Sequence, residues 1–348
     1  MSHRFHIITV HPGTLLDPGA LEAITVDYLS ALEGLGGERW SDDDLPDDGS
    51  PLFLLVATGG SEQVILDRWA EHRGTSAAES LSLIAHPGNN TLPASLEVLA
   101  RLQQDGAHGR IFYLKGPEDA SGLQEISDAI NDMDVRRRLQ QVRIGVVGAP
   151  SDWLVASSPD ATTVRAAWGP TVVPVEMDEV VQTLEAISDA DLDPQVEGLV
   201  AGADEVREPS SSDLQGAARV YLALKRVVAE NRLDALTVRC FDFVQHQRTT
   251  GCFALAKLTD EGVIAGCEGD LVSTIGLLWA SELLGATPWM ANPARLDPER
   301  NTLWLAHCTV PRTLVESCGL RSHFESGLGI GIQGTMSTGP VTLLRIGG

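Results

Sequence analysis

Lysine is almost missing from this chain: three occur in 348 residues, at positions 115, 225 and 257. Nearly all the positive charge is arginine, and 25 basic residues stand against 48 acidic ones, a net charge of −23. No stretch could form the basic stripe that neutralises phosphates, which argues against a nucleic-acid partner. An acidic surface poor in lysine suits a salty cytoplasm, where strong charge keeps protein dissolved; a GC-rich genome would favour arginine over lysine equally well. Long hydrophobic runs are also lacking. The most apolar stretch, 271–280, carries Ser and Thr and falls well short of the ~20 residues that span a bilayer, so no membrane association is expected. The N-terminal "MSHRFHIITVH" has no basic flank, apolar core and small-residue cleavage site, and the expected location is the cytoplasm.

Cysteine is absent before position 240, and the five present (240, 252, 267, 308 and 318) show no CxxC spacing. That argues against a disulfide framework and a zinc ribbon, and each reads first as a small buried apolar residue. Nucleophile elbows, dinucleotide fingerprints and phosphate loops of known pattern are missing too.

What is present is an alternation. The runs "RFHIITV", "LFLLVA", "LSLIAH" and "RIFYLK" are short and unbroken, as in strands buried on both faces. Helical stretches separate them at 18–34, 61–73, 92–105 and 119–138, which predicts a parallel sheet in an α/β layer. The acidic 38–51 segment reads as a solvated loop. A second α/β unit opens at "VRIGVVGAPSDW", with strands at 142–147, 171–176 and 234–240 and a helix near 212–231. From about 252 the texture changes to one apolar helix, 271–284, followed by short strand-like pieces: "ATPWMAN", "TLWLAHCTV", "GLGIGIQG" and "PVTLLRI". The expected fold class is therefore α/β: two Rossmann-like parallel-sheet domains, 1–140 and 141–255, then a smaller β-rich, barrel-like domain, 256–348.

Chemistry is expected where strands end, because open α/β sheets bind ligands at that edge. "TGGSEQ" reads as a tight turn with Ser61 capping a helix before it reads as an anion cradle. "HPGNNTLPAS" places Asn89 and Asn90 where they could hydrogen-bond a sugar, or form an Asx turn with Thr91 as N-cap. "GAPSDW" offers Ser151 and Asp152 as caps or polar contacts, and Trp153 as a stacking platform or core. "RCFDF" sets Asp242 between two phenylalanines; an unpaired carboxylate there is costly, so it should be paired, exposed or metal-bound. In "GCEGDLVST", Asp270 is a natural cap for the helix at 271, which leaves Glu268 without a structural role. Two carboxylates with His307 of "AHCTVP" make a plausible oxygen and imidazole set for Mg²⁺ or Mn²⁺. In "LRSHFESG", His323 and Glu325 would share one face of a strand, as a surface pair or as substrate contacts.

Taken in order, "TGGSEQ", "HPGNNTLPASLE", "GAPSDWLVAS", "RCFDF", "GCEGD", "AHCTVP" and "LRSHFESGLGIGIQG" resemble the L-fucose isomerase/L-arabinose isomerase superfamily, in its shorter L-fucose isomerase-like branch. The motifs run from 58 to 334, most of the chain. The resemblance implies an Mn²⁺-dependent, or other divalent-cation-dependent, aldose–ketose isomerase assembled as a homo-oligomer, a trimer or hexamer. It implies metal ligands at Asp242, Asp270 and His307, and a base at Asp242 or Glu268. Sugar contacts would come from Asn89, Asn90, Ser151, Asp152, Trp153 and His323. Two departures stand out. The full-size enzymes carry glutamate where this chain has Asp242, and they are longer, so parts of their barrel or pocket are expected to be missing. The expected reaction is ene-diol proton transfer on a pentose or 6-deoxyhexose, with or without a phosphate. A non-catalytic sugar-binding protein, and an aldolase or epimerase working through a metal-stabilised enediolate, are the alternatives.

Overall fold

The computed structural model describes residues 4–13, 18–40, 49–73 and 80–347. The backbone divides into two compact units, Met1–Arg137 and Arg138–Gly348.

The first unit is a five-stranded parallel sheet. In chain order its elements are β1 (Phe5–Val10), α1 (Pro18–Gly34), β2 (Gly37–Arg39), β3 (Leu52–Val56), α2 (Glu62–Arg73), β4 (Leu81–Ala85), α3 (Thr91–Gln104), β5 (Gly109–Tyr113) and α4 (Ala120–Gln141), the last running into the second unit. The strands lie side by side as β2-β1-β3-β4-β5. Strands β3 and β4 are buried at every position, which is why they read as unbroken apolar runs. Leu54, Val56 and Leu83 meet Val98 and Leu102 of α3 on one face, while Phe53, Leu55 and Ile84 meet Leu32 of α1 and Ile126 and Ile130 of α4 on the other. Most of the acidic loop read at 38–51 lies outside the described residues.

The turn after β4 differs from its sequence reading. Asn90, in the left-handed region at φ 55°, precedes α3 without a side-chain cap. Thr91 is the helix's first residue, and its hydroxyl donates to the His86 carbonyl. Asn89 is also left-handed, and its carbonyl accepts from Gly59 N–H at 2.6 Å, so "TGG" and "GNN" are two halves of one packed turn.

The second unit contains β6 (Arg143–Val147), α5 (Ala161–Ala167), β7 (Thr171–Val175), α6 (Met177–Glu185), α7 (Asp189–Ala201), β8 (Glu205–Val206), α8 (Ser211–Asn231), β9 (Ala235–Val238), α9 (Cys252–Asp260), β10 (Ile264–Cys267), α10 (Leu271–Leu284), β11 (Asn292–Asp297), β12 (Thr302–Ala306), β13 (Ser317–Arg321) and β14 (Gly331–Thr335). Strands β10-β9-β6-β7 form a parallel sheet. Alternation assigns its faces: Ala265 and Cys267 join the core formed with α8 and α9, whereas a Cβ on Gly266 would run into Thr274 of α10. The fold is thus α/β with two parallel sheets. The smaller β elements are an antiparallel β11–β12 ribbon and a three-stranded sheet ordered β14-β13-β8.

Two sequence pieces read as strands are not. "ATPWMAN" has no strand until β11 begins at Asn292, and "PVTLLRI" forms no strand. The latter lies along α10, with Leu344 and Ile346 beside Gly276. Among the described residues no helix is long and apolar enough to cross a membrane.

Two of the three lysines converge on one carboxylate. Lys225 and Lys257 both reach Glu261, at 2.9 and 3.0 Å, and the Tyr221 hydroxyl donates to it at 2.7 Å. Burial pushes the Glu261 carboxyl upward, but these donors outweigh it and bring its pKa to about 2, against an ordinary 4.5. Because the folded value is depressed, the stabilisation is complete above pH 4.5 and fades as pH falls toward 2. Glu261→Gln is expected to cost about 1–2 kcal/mol at pH 7. In urea titrations that difference should shrink below pH 4.

Candidate active site

The chain leaves β6 for β7 on one side and returns to place β9 on the other, so the switch in direction lies between β6 and β9. Ligands bind in the crevice outside the strand ends at such a point. Three loops meet there: 148–153 after β6, 239–242 after β9, and 268–270 after β10.

The third loop is a tight turn. Asp270 N–H donates to the Cys267 carbonyl at 3.0 Å, and the two central residues, Glu268 and Gly269, are both left-handed at φ 62° and 73°. This is the geometry of a type I′ turn, which glycine tolerates and glutamate does not favour. The Glu268 carbonyl accepts from Ser151 N–H at 2.9 Å, and its carboxylate accepts from the Trp153 indole N–H at 2.7 Å. Trp153 is half exposed and meets Phe241 edge-on, with ring centroids 5.3 Å apart. The Ser151 hydroxyl is buried with no hydrogen-bond partner.

Asp242 sits after β9 at the start of a single π-helical turn, Phe243–Gln247. Phe243 enters the core and Phe241 turns toward Trp153, and the Asp242 carboxylate is partly buried. Arg239 pairs with Asp242 at 3.3 Å and with the exposed Asp152 at 3.1 Å, and donates to the Pro150 carbonyl. One guanidinium therefore ties the first loop to the second. The sequence reading missed Arg239; its signal was its position, the first charge after a buried strand and three residues before Asp242.

Asp270 is buried and caps α10. One carboxylate oxygen accepts from Ser273 N–H and the other from the Ser273 hydroxyl, both at 2.8 Å. Arg345 stands 3.8 Å away and also donates to Ser273 and Ser157.

The third group lies on the small β elements. His307 Nδ1 is 2.8 Å from the Thr309 hydroxyl. His323 is buried in a turn closed by its own carbonyl accepting from Gly327 N–H, so it does not share a strand face with Glu325. Its ring stands edge-on to Phe241, centroids 6.0 Å apart. Contact with Cys308 holds the His323 pKa above its ordinary value, and the charges of Glu325 and Glu268 add to that. The Cys308 and Cys252 sulfurs are 3.1 Å apart, and those of Cys240 and Cys267 are 3.0 Å apart.

Ser151, Asp152, Trp153, Asp242, Glu268, Asp270, His307 and His323 thus all belong to the second unit. Asn89 and Asn90 belong to the first, exposed at the carboxyl end of its sheet.

Mn²⁺ prefers oxygen and imidazole donors with free lone pairs. Here guanidinium groups face both Asp242 and Asp270, and Ser273 engages both Asp270 oxygens. Among the described residues, one group of three or more His, Cys, Asp or Glu donors has its ligand atoms within 4.8 Å of one another: Cys252, Cys308 and His323. As arranged, Asp242, Asp270 and His307 do not converge in that way.

No family model matches the chain. Three curated relatives are each named sulfoquinovose isomerase. That of Alkalicoccus urumqiensis is 23% identical over 306 residues, covering 84% of this chain and 67% of its own length. Those of Priestia megaterium and Clostridium sp. strain MSTE9 are 23% identical over 248 and 237 residues, which is 69% and 66% of this chain. The chain is similar to proteins named as sugar isomerases. It spans about two thirds of the first relative's length and 55% and 51% of the other two.

Proposed function

We propose that this chain is an aldose–ketose isomerase, transferring a proton between C2 and C1 of an open-chain sugar through an ene-diol. The observation that carries the reading is Glu268. It occupies a strained backbone position in a turn at the sheet's switch point, and Trp153 holds its carboxylate at 2.7 Å. Backbone strain of this kind is retained where the surroundings enforce it, and it clusters at active sites. As general base, Glu268 takes the proton from C2 and returns it to C1, while the hydroxyl proton on O2 passes to O1. Asp242 is the second candidate base, and its ion pair with Arg239 makes it the less free of the two.

Ser151, Asp152, Trp153 and His323 would contact the sugar, with Trp153 and Phe241 offering apolar ring faces. A divalent cation such as Mn²⁺, with Asp242, Asp270 and His307 as the ligands implied by resemblance, would supply Lewis-acid polarisation of the sugar oxygens when bound. Its contribution is part of the test. The relatives' names add sulfoquinovose to the pentoses and 6-deoxyhexoses as candidate substrates.

The experiment is conversion of aldose to ketose by the purified chain across these sugars and their phosphates, with Mn²⁺ and with EDTA. One sugar is expected to turn over. Asp270→Ala removes a helix cap, worth about 1 kcal/mol, and a loss of Mn²⁺-dependent rate beyond that would assign Asp270 as a ligand. Sugar binding without turnover would replace the reading with a binding protein. Cleaved or epimerised products would replace it with an aldolase or epimerase.

A further inference from the structure

Four of the five cysteines lie in two sulfur pairs within the second unit, and one pair has an imidazole beside it. Cys252 opens α9, Cys308 follows β12, and His323 sits in the turn after β13, three elements distant in sequence. Their ligand atoms all lie within 4.8 Å of one another, and Cys252 and His323 are 2% and 6% exposed. We propose that Cys252, Cys308 and His323 form a binding site for a thiophilic divalent cation, with Zn²⁺ the best match.

The geometry is close to what the ion requires. Zn²⁺ holds thiolate sulfur at about 2.3 Å and imidazole nitrogen at about 2.0 Å in a tetrahedron, which sets ligand atoms roughly 3.3–3.8 Å apart. The two sulfurs need to separate only slightly from 3.1 Å. Two thiolates and an imidazole select a soft or borderline ion over Mg²⁺ or Mn²⁺. His323 Nδ1 also lies 3.1 Å from the Ser326 hydroxyl, and donating its proton to that oxygen would leave Nε2 with the lone pair an ion requires. Such support fixes which ring nitrogen faces the ligand. His307 meets the Cys308 sulfur but is not one of the three converging donors. Three protein ligands with a fourth position open is the arrangement zinc adopts where it does chemistry. The His323 ring stands edge-on to Phe241, which in turn meets Trp153 of the crevice. The site shares His323 with the isomerase reading but rests on the Cys252–Cys308 sulfur pair, which that reading does not use.

The test is Co²⁺ titration of the reduced, metal-stripped full chain, followed by Zn²⁺ competition. One equivalent of Co²⁺ should produce a near-ultraviolet sulfur-to-cobalt band that Zn²⁺ abolishes. Cys308→Ser and His323→Gln should each weaken binding roughly 100-fold or more. Cys318→Ser, outside the cluster, and Cys240→Ser, in the other sulfur pair, should leave the band unchanged. Circular dichroism identifies any variant that fails to fold, and His323→Gln, which retains volume, decides if Cys308→Ser does not. No band in the wild type, or a band that survives in both ligand variants, overturns the site. A band lost in Cys240→Ser alone places the ion on the other pair and overturns it equally. Sugar turnover is read separately, so failure of one proposal leaves the other standing.

Discussion

Glu268→Gln is expected to lower sugar isomerisation by roughly 10²–10⁴-fold, the usual contribution of a positioned general base, with the melting temperature nearly unchanged. The amide keeps the side chain's length and can still accept from the Trp153 indole, so the 2.7 Å contact survives while the proton acceptor does not. Glu268→Gly separates the two roles further. Glycine pays no penalty at φ 62°, so this variant should be inactive yet at least as stable as the parent, the pattern expected where strain is held for function. Steady-state rates and thermal melts on the same preparations decide the matter. If Glu268→Gln retains full rate and Asp242→Asn does not, the base is Asp242.

Gly269→Ala should be the most destabilising single methyl addition in the crevice. A Cβ there would stand 2.5 Å from the Ala149 carbonyl oxygen and 2.7 Å from the Pro150 Cα, both backbone atoms, at φ 73°. The left-handed conformation costs about 1–2 kcal/mol for an L-residue, and overpacking adds about 1–3 kcal/mol. The sum predicts a fall in Tm of roughly 5–15 °C. The damage should also spread to function, because the loop that must yield, 148–153, carries Ser151 and Trp153. A Tm within a degree of the parent would mean that this loop is free to move away, and the packed turn would lose its role as the site's foundation.

These residues show what could be read from the chain without coordinates. Helix α10 was legible end to end, because Asp270 is a strong cap and the run behind it is apolar. The buried strands β3, β4 and β9 were legible for the same reason: a strand covered on both faces has no polar alternation to confuse. "PVTLLRI" misled because its apolar residues pack on a helix at Gly276, and β-branched composition does not distinguish that from a ladder. The strained turn at Glu268 was half legible: Asp270 explained itself as a cap, and the carboxylate left without a structural role proved to be the one in the left-handed position. Arg239 and Arg345 were missed, since the partners that give them meaning are 87 and 188 residues away in sequence. The cysteines were read as apolar core, which describes their burial. Their convergence with His323 has no local motif, because α9, the end of β12 and the turn after β13 come together only in the folded unit.

The order of strands in the second sheet also dictates when this crevice can exist. Strand β6 is made early in the unit, but its partner on the crevice side, β9, lies far along the chain: Arg143 and Asp234, joined by a hydrogen bond, are 91 positions apart. Closing so long a loop is entropically costly, and pairings of this kind form slowly. The nearer pair, β6 with β7, carries only the first of the three loops, 148–153. Glu268, Trp153 and Asp242 therefore become neighbours only when the most distant pairings of the sheet have closed. During synthesis and refolding alike, the candidate site is expected to be among the last parts of this unit to form.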